Sequence, residues 1–215
     1  IETPFDQKFG VPRLRGIAAC PGRIVFEKPF RDADAVRGLE GFSHIWLIWQ
    51  FARALRQGWS PTVRPPRLGG NERVGVFATR APFRPNGLGL SAVELERVAL
   101  DEPDAPVLYV RGADMVSGTP ILDIKPYLSY ADSYPAASGG FTGGDAGAML
   151  TVDFPPELLA RFDSGQRHGL ISALAADPRP RYQDDPERGY GRTYGARNVR
   201  FTVSDGTVQV IAVEG

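Results

Sequence analysis

The chain has 215 residues with 25 Lys+Arg and 25 Asp+Glu, a formal net charge of zero that suits one large domain or a core with a small appendage and excludes a wholesale polycation. The single cysteine, Cys20, excludes an intramolecular disulfide framework and a Cys-rich zinc site, and two histidines, His44 and His168, are too few for a His-based zinc centre, so no metal is expected. The longest apolar run, 45–51, is broken by Gln50 and far too short to span a bilayer, and no signal peptide is visible, so the expectation is a cytoplasmic protein away from membranes.

Turn-formers are frequent (25 Gly, 19 Pro), and short alternating runs outnumber helical patterns. Arg23–Glu27 reads as a strand, and Phe42–Phe51, aromatic and β-branched, as a buried one. Arg73–Thr79 alternates Val74, Val76 and Ala78 on one face. Ala92–Leu100 carries Val93 and Leu95 on one face and shifts phase at Val98, which predicts a bulge. Val107–Val110, Ile121–Ile124 and Met149–Phe154 complete an all-β core, a barrel or a sandwich. Residues 133–148 are rich in Gly, Ala and Ser and read as a loop. Beyond it the pattern predicts short helices from Pro155 to Arg161 and from Gly169 to Ala176, then a hairpin of Val199–Val203 and Thr207–Val213 turning at Asp205-Gly206. A domain boundary is expected near 145–150, giving domains 1–148 and 149–215.

The zero net charge hides segregation. Residues 51–90 carry seven arginines against Glu72, residues 101–160 nine acids against Arg111 and Lys125, and residues 161–200 eight arginines against five acids. An Arg-rich face suits a phosphate-rich partner. Only Lys8, Lys28 and Lys125 are lysines, so an Arg-rich codon pool accounts for the richness equally well. The string Gly87-Leu88-Gly89-Leu90-Ser91-Ala92 fits a dinucleotide fingerprint, but Pro82, Arg84, Pro85 and Asn86 stand where a strand is needed and a strand pattern follows where the helix should be. A glycine-permitted bend beside a binding loop explains it better.

Three dense Pro/Gly/Arg/Asn segments stand out: 8–13, 62–86 and 117–127. Rigid loops of this kind hold anions or small molecules on a β scaffold. Together with 38–46, and with Gly118-Thr119-Pro120-Ile121-Leu122-Asp123-Ile124-Lys125-Pro126-Tyr127 as the hallmark, they resemble the TsaA/YaeB (TrmO) family. The resemblance runs from Ile1 to about Pro135 and resumes at 177–182 and 198–201. It implies an S-adenosylmethionine-dependent methyltransferase acting on N6 of threonylcarbamoyladenosine at position 37 of tRNA. It also implies a single non-Rossmann β-barrel catalytic domain, a small α+β C-terminal domain, a homodimer, and an N-terminal strand that begins before Ile1. Matched residue by residue, the cofactor positions are Pro12, Arg13, Leu14, Arg80, Leu90, Gly118, Thr119, Pro120 and Ile121. The family's His-Gln pair falls on Ala52 and Arg53, so a polar contact there is lost or taken over by Arg53.

Each candidate has a structural reading beside its functional one. Arg80 ends an apolar run, and its guanidinium suits a methionyl carboxylate. Gly118 and Thr119 form a turn whose N–H groups suit the cofactor. Asp114 and Asp123 are the carboxylates nearest in sequence and the candidate catalytic acids or bases, although a carboxylate can simply cap a turn. His44 reads as a hydrogen-bonded core residue, and Trp46, Trp49 and Trp59 as core or dimer interface, with base stacking as the lesser alternative. A urea-like N–H is more acidic than a plain adenine amine, so a general base is useful. The substrate's own carboxylate asks for arginine from Arg64, Arg67 or Arg84. Arg179, Arg181, Arg188, Arg192, Arg197 and Arg200 crowd the C-terminal part and read as tRNA docking, with Arg179 and Arg181 as substrate contacts. A non-enzymatic cofactor-binding regulator and an RNA-binding β module remain as alternatives.

Overall fold

The computed structural model describes residues 1–7, 11, 20–52, 58–65, 68, 70–143, 149–177, 179, 185 and 188–215. In chain order it forms β1 (Pro21–Val25), β2 (His44–Gln50), a short hairpin of β3 (Thr62–Val63) and β4 (Val74–Gly75), β5 (Leu88–Ala99), β6 (Val107–Arg111), β7 (Ile121–Pro126) and one helical turn, α1 (Ser129–Asp132). The second part contains β8 (Thr151–Asp153), α2 (Pro156–Leu159), α3 (Ser164–Ala175), β9 (Tyr190–Tyr194), β10 (Arg197–Ser204) and β11 (Thr207–Glu214). No helix among the described residues is long and apolar enough to cross a membrane.

The alternation in β2 sets the first core. Ile45, Leu47 and Trp49 are buried, while Trp46, Ile48 and Gln50 face the other side and are half-buried. β2 lies between β5 and β7 in an antiparallel sheet of order β1-β6-β5-β2-β7. Ile24, Val93, Leu108, Val110 and Met115 close over the buried face of β2. The expected bulge in β5 is present as a register shift between Leu95 and Arg97.

Among the described residues this sheet has two edges, β1 and β7, so the closed barrel is not confirmed. The gap is spanned by the first two residues instead. Glu2 exchanges backbone hydrogen bonds with Arg23 of β1 at 2.8 and 2.9 Å, and the Ile1 carbonyl accepts the Gly118 N–H, in the turn before β7, at 2.8 Å.

A second sheet, β8-β11-β10-β9, is antiparallel except where β8 joins β11. α3 packs Leu170, Ala173 and Leu174 against Tyr190, Val199, Phe201 and Val208. Phe5 and Cys20, from the other end of the chain, are fully buried in this same core. The β10–β11 hairpin turns where expected: Asp205 and Gly206 adopt φ of +47° and +72°, the left-handed pair that a tight two-residue turn needs.

Two sequence expectations fail locally. Arg73–Thr79 is not one strand: pairing stops at Gly75 and Val76–Ala78 is a 3-10 turn. The Thr79 hydroxyl donates to the Val76 carbonyl at 2.9 Å, drawing the chain out of the ladder. α3 begins at Ser164, before the expected Gly169, because its first turn is polar and shows no apolar stripe.

Candidate active site

The C-terminal end of β2 draws together two stretches that the sequence singled out, 87–90 and 118–123. The Gln50 N–H donates to the Pro120 carbonyl at 3.1 Å, and the Phe51 N–H donates to the Gly87 carbonyl at 2.8 Å. Trp49 pairs with Gly89 on one side and Ile121 on the other; Ile48 pairs with Leu90 and Asp123. Ala52, Leu90, Pro120 and Ile121 therefore meet at one end of the sheet, with Gly118 and Thr119 in the adjoining turn. Leu88, Leu90 and Leu122 expose 42, 44 and 54% of their surface there, an apolar area with nothing described over it.

Gly118 has φ of +78°, and a β-carbon built on it meets nothing within 4 Å, so the backbone lies bare toward open space. The expectation that the N–H groups of this turn face a ligand is corrected. Gly118 donates to Ile1 at 2.8 Å and Thr119 to Val116 at 3.2 Å, and the Thr119 hydroxyl also donates to Val116 at 2.6 Å. What the turn offers a ligand is surface. Arg80 is exposed, and no hydrogen bond or ion pair ties it to the described residues.

The two candidate carboxylates lie on opposite faces. Asp114 accepts the Ser91 hydroxyl at 2.7 Å, and Ser91 in turn accepts the Trp49 indole N–H at 3.0 Å. Ser91 and Trp49 are buried, so Asp114 anchors a polar chain behind the sheet. Asp123 is exposed, shares the outer face with Leu90 and pairs with Lys125 at 3.1 Å.

Several expectations shift once side chains are placed. Arg84, expected to meet the substrate carboxylate, donates from Nη1 to the carbonyls of Val76 and Thr79 at 3.0 and 2.7 Å, so part of its guanidinium is engaged structurally. Arg64 is exposed. Arg179 forks onto Asp177 at 2.9 and 3.0 Å, which neutralises it locally. Arg192 is corrected outright: it is 1% exposed, donates to Ala173 and lies over the Phe5 ring at 5.3 Å, out of reach of any phosphate. Burial lowers its pKa to about 10 and pushes the neighbouring Cys20 thiol up to about 12. His44 is not a core residue; it is exposed and shares a hydrogen bond with Ser43 at 3.0 Å. Trp59 is neither core nor covered, with 57% of its surface exposed. Pro12, Arg13, Leu14, Arg53, Arg67 and Arg181 lie outside the described residues.

Sequence reasoning missed the cap beside Trp46. Asp132 accepts the Leu128 N–H at 2.8 Å and the Trp46 indole N–H at 2.9 Å, and these bonds, in that order, hold its carboxyl below the usual range. Tyr127 packs on Trp46 at 5.5 Å between ring centroids. An aspartate five residues after a tyrosine carries no sequence signal of its own.

Residues 1–133 match the family described as the tRNA-methyltransferase O N-terminal domain, and residues 147–215 match the TrmO C-terminal domain. The chain is 42% identical to the tRNA (adenine(37)-N6)-methyltransferase of Escherichia coli K12, across all of this chain and 94% of the relative. It is 45% identical to the protein of the same name from Eikenella corrodens, across 81% of this chain and 99% of the relative. The crystal structure of TrmO from Pseudomonas aeruginosa superposes with a TM-score of 0.79 at 31% identity, covering all of this chain and 94% of that one.

Proposed function

The chain belongs to the tRNA-methyltransferase O family, and on that premise we propose that it transfers a methyl group from S-adenosylmethionine to N6 of adenine 37 in tRNA, accepting that adenine once it carries a threonylcarbamoyl group. The observation that carries this reading is the 42% identity to the Escherichia coli enzyme across the whole of this chain.

The site suits such a cofactor. An exposed arginine, Arg80, fits its carboxylate; the bare backbone at Gly118 admits a flat group closely; and Leu88 and Leu90 offer apolar surface to an adenine ring. S-adenosylmethionine supplies an electrophilic methyl group on a sulfonium. The protein's part is to align the accepting nitrogen in line with it and to remove the N6 proton. Asp123 is our candidate proton acceptor, because it is exposed and shares the outer face with Leu90, where it pairs with Lys125 at 3.1 Å. Asp114, held behind the sheet, is a positioning residue. Of the arginines expected to meet the substrate carboxylate, Arg64 is exposed and Arg84 is partly engaged by the 76–79 turn, which favours Arg64.

We further infer a homodimer that covers the exposed Leu122 with the cofactor site at or near its interface, and a cytoplasmic location in keeping with a tRNA substrate. The C-terminal part, 149–215, assists tRNA docking through exposed arginines such as Arg188 and Arg200, without Arg192. Barrel closure through Ile1 and Glu2 is the form of the fold that this reading favours.

The deciding assay offers labelled cofactor with threonylcarbamoylated tRNA and with an unmodified transcript side by side. Incorporation into the modified tRNA alone is expected, since a site built to pair a charged group rejects the analogue that lacks it. Equal incorporation into both would point to a general adenine methyltransferase, and none into either to a cofactor-binding regulator.

A further inference from the structure

We propose that Trp59 and Phe77 form a stacking platform for unpaired bases of a single-stranded RNA loop, mounted on the insert that joins β2 to β5. The proposal rests on the reading of tRNA as substrate and names the part of the protein that grips the loop.

The insert leaves the first sheet at the end of β2 and rejoins it at the start of β5, so both its ends stand at the candidate cofactor site. Its fold is held by the β3–β4 pairing and by two further bonds, from the Val76 N–H to the Pro61 carbonyl at 3.0 Å and from the Ser60 N–H to the Phe83 carbonyl at 3.1 Å. Trp59 precedes the first residue of that clasp and Phe77 follows the last of its β4 side, so both rings spring from the same end of the little ladder. They expose 57% and 71% of their surface. Two large aromatic rings left this bare at one end of the same ladder offer π-faces to a partner.

The surroundings select the partner. Residues 51–90 hold seven arginines and one acid, and Arg64, Arg73 and Arg80 are exposed among the described ones. Arg84 stands 5.6 Å from the Phe77 ring centroid while its Nη1 is fixed by the carbonyls of Val76 and Thr79. That pinned cation backs one side of the ring and limits its motion, so little ordering is needed when a base meets the other side. Exposed aromatics interleaved with arginines match a polymer that presents flat π-faces and phosphates together, which single-stranded RNA does and a duplex does not. The reaction is compatible with it. An enzyme that modifies an adenine takes it from a single strand or draws it out of its stack, and the neighbouring bases then present π-faces that Trp59 and Phe77 can cover.

The test is equilibrium binding of a tRNA anticodon stem-loop to the full chain, read by fluorescence anisotropy without cofactor, against a fully paired RNA of equal length. Trp59→Ala and Phe77→Ala should each weaken stem-loop binding about tenfold, leave the slope of log K against log salt unchanged, and spare the duplex. Trp59→Phe should restore most of the loss. Arg73→Ala should instead lower the magnitude of the salt slope by about one. Undiminished stem-loop affinity in both aromatic variants overturns the platform. So does a change in oligomeric state by light scattering with RNA affinity intact, which would make these rings a contact to a second copy. If the wild type binds the stem-loop through Trp59 yet never methylates tRNA, the proposed function fails and the platform stands.

Discussion

Trp49 lies against Gly89 so closely that a β-carbon built on the glycine would stand 2.3 Å from Cε2 and 2.4 Å from Cζ2 of the indole. The two residues are direct cross-strand partners in β2 and β5, and Trp49 is buried. The glycine in the string that mimics a dinucleotide fingerprint thus answers to an indole. Gly89→Ala should cost about 1–3 kcal/mol through overpacking, seen as a lower denaturant midpoint. It should also weaken cofactor binding, since the displaced strand carries Leu88 and Leu90. Trp49→Phe in the same chain should recover part of the stability.

The Trp49–Ser91–Asp114 chain separates a positioning role from a catalytic one. Ser91→Ala leaves a buried indole N–H and a carboxylate unpaired, for about 1–3 kcal/mol of lost stability. Asp114→Asn keeps an acceptor for the Ser91 hydroxyl, so stability and kcat should both stay near wild type. A fall in kcat of a hundredfold or more with unchanged stability would make Asp114 the proton acceptor after all.

Asp132 ties α1 to β2 and gives the region an acid limit. Its depressed pKa means that the folded state holds the carboxylate more favourably than the unfolded chain does. The contribution is complete above the unfolded value of about 3.9 and is lost as pH falls from there through the lower folded value. Trp46 emission should therefore change below about pH 4, and Asp132→Asn should show the altered emission at neutral pH.

The second core is closed by two residues from the start of the chain. Phe5 packs edge-on to Tyr194 at 5.6 Å between centroids, and the Cys20 thiol lies 3.6 Å from the Gly169 carbonyl. Phe5→Ala should cost about 3–5 kcal/mol, although the site lies far from Tyr194 in sequence. Cys20, buried and with its pKa raised to about 12, should resist alkylation at pH 8 until the core opens, so its labelling rate reports that opening.

How much of this was legible in the sequence follows from how local each feature is. β2, the β5 bulge and the Asp205-Gly206 turn were readable because alternation and turn chemistry act within a few residues. β9 was not: Tyr-Gly-Arg-Thr-Tyr carries a buried arginine at Arg192 whose place depends on Phe5 and Ala173. The candidate site was readable as three separate motifs. That 88–90 and 120–121 flank the end of β2 is a matter of strand order, which no local pattern encodes. Nothing around Trp59 in the sequence separates a core ring from an interface or stacking one; its 57% exposure appears only with the fold.

Arg80 carries the sharpest prediction about the cofactor. It is exposed, stands just before the Pro82–Pro85 bend that leads into β5, and no described residue pairs with it. The nearby Arg84 makes the contrast, since its Nη1 is engaged by two carbonyls. Arg80→Ala should weaken S-adenosylmethionine binding roughly tenfold to a hundredfold, the scale of a hydrogen bond to a charged group, with the unfolding midpoint unchanged. Arg80→Lys should recover only part of the affinity, because an ammonium cannot fork onto a carboxylate. Arg84→Ala should instead lower the unfolding midpoint by freeing the 76–79 turn. Calorimetric titration of the three variants distinguishes these outcomes. Unchanged affinity in a folded Arg80→Ala protein would remove Arg80 from the site and leave the carboxylate to be met by another arginine.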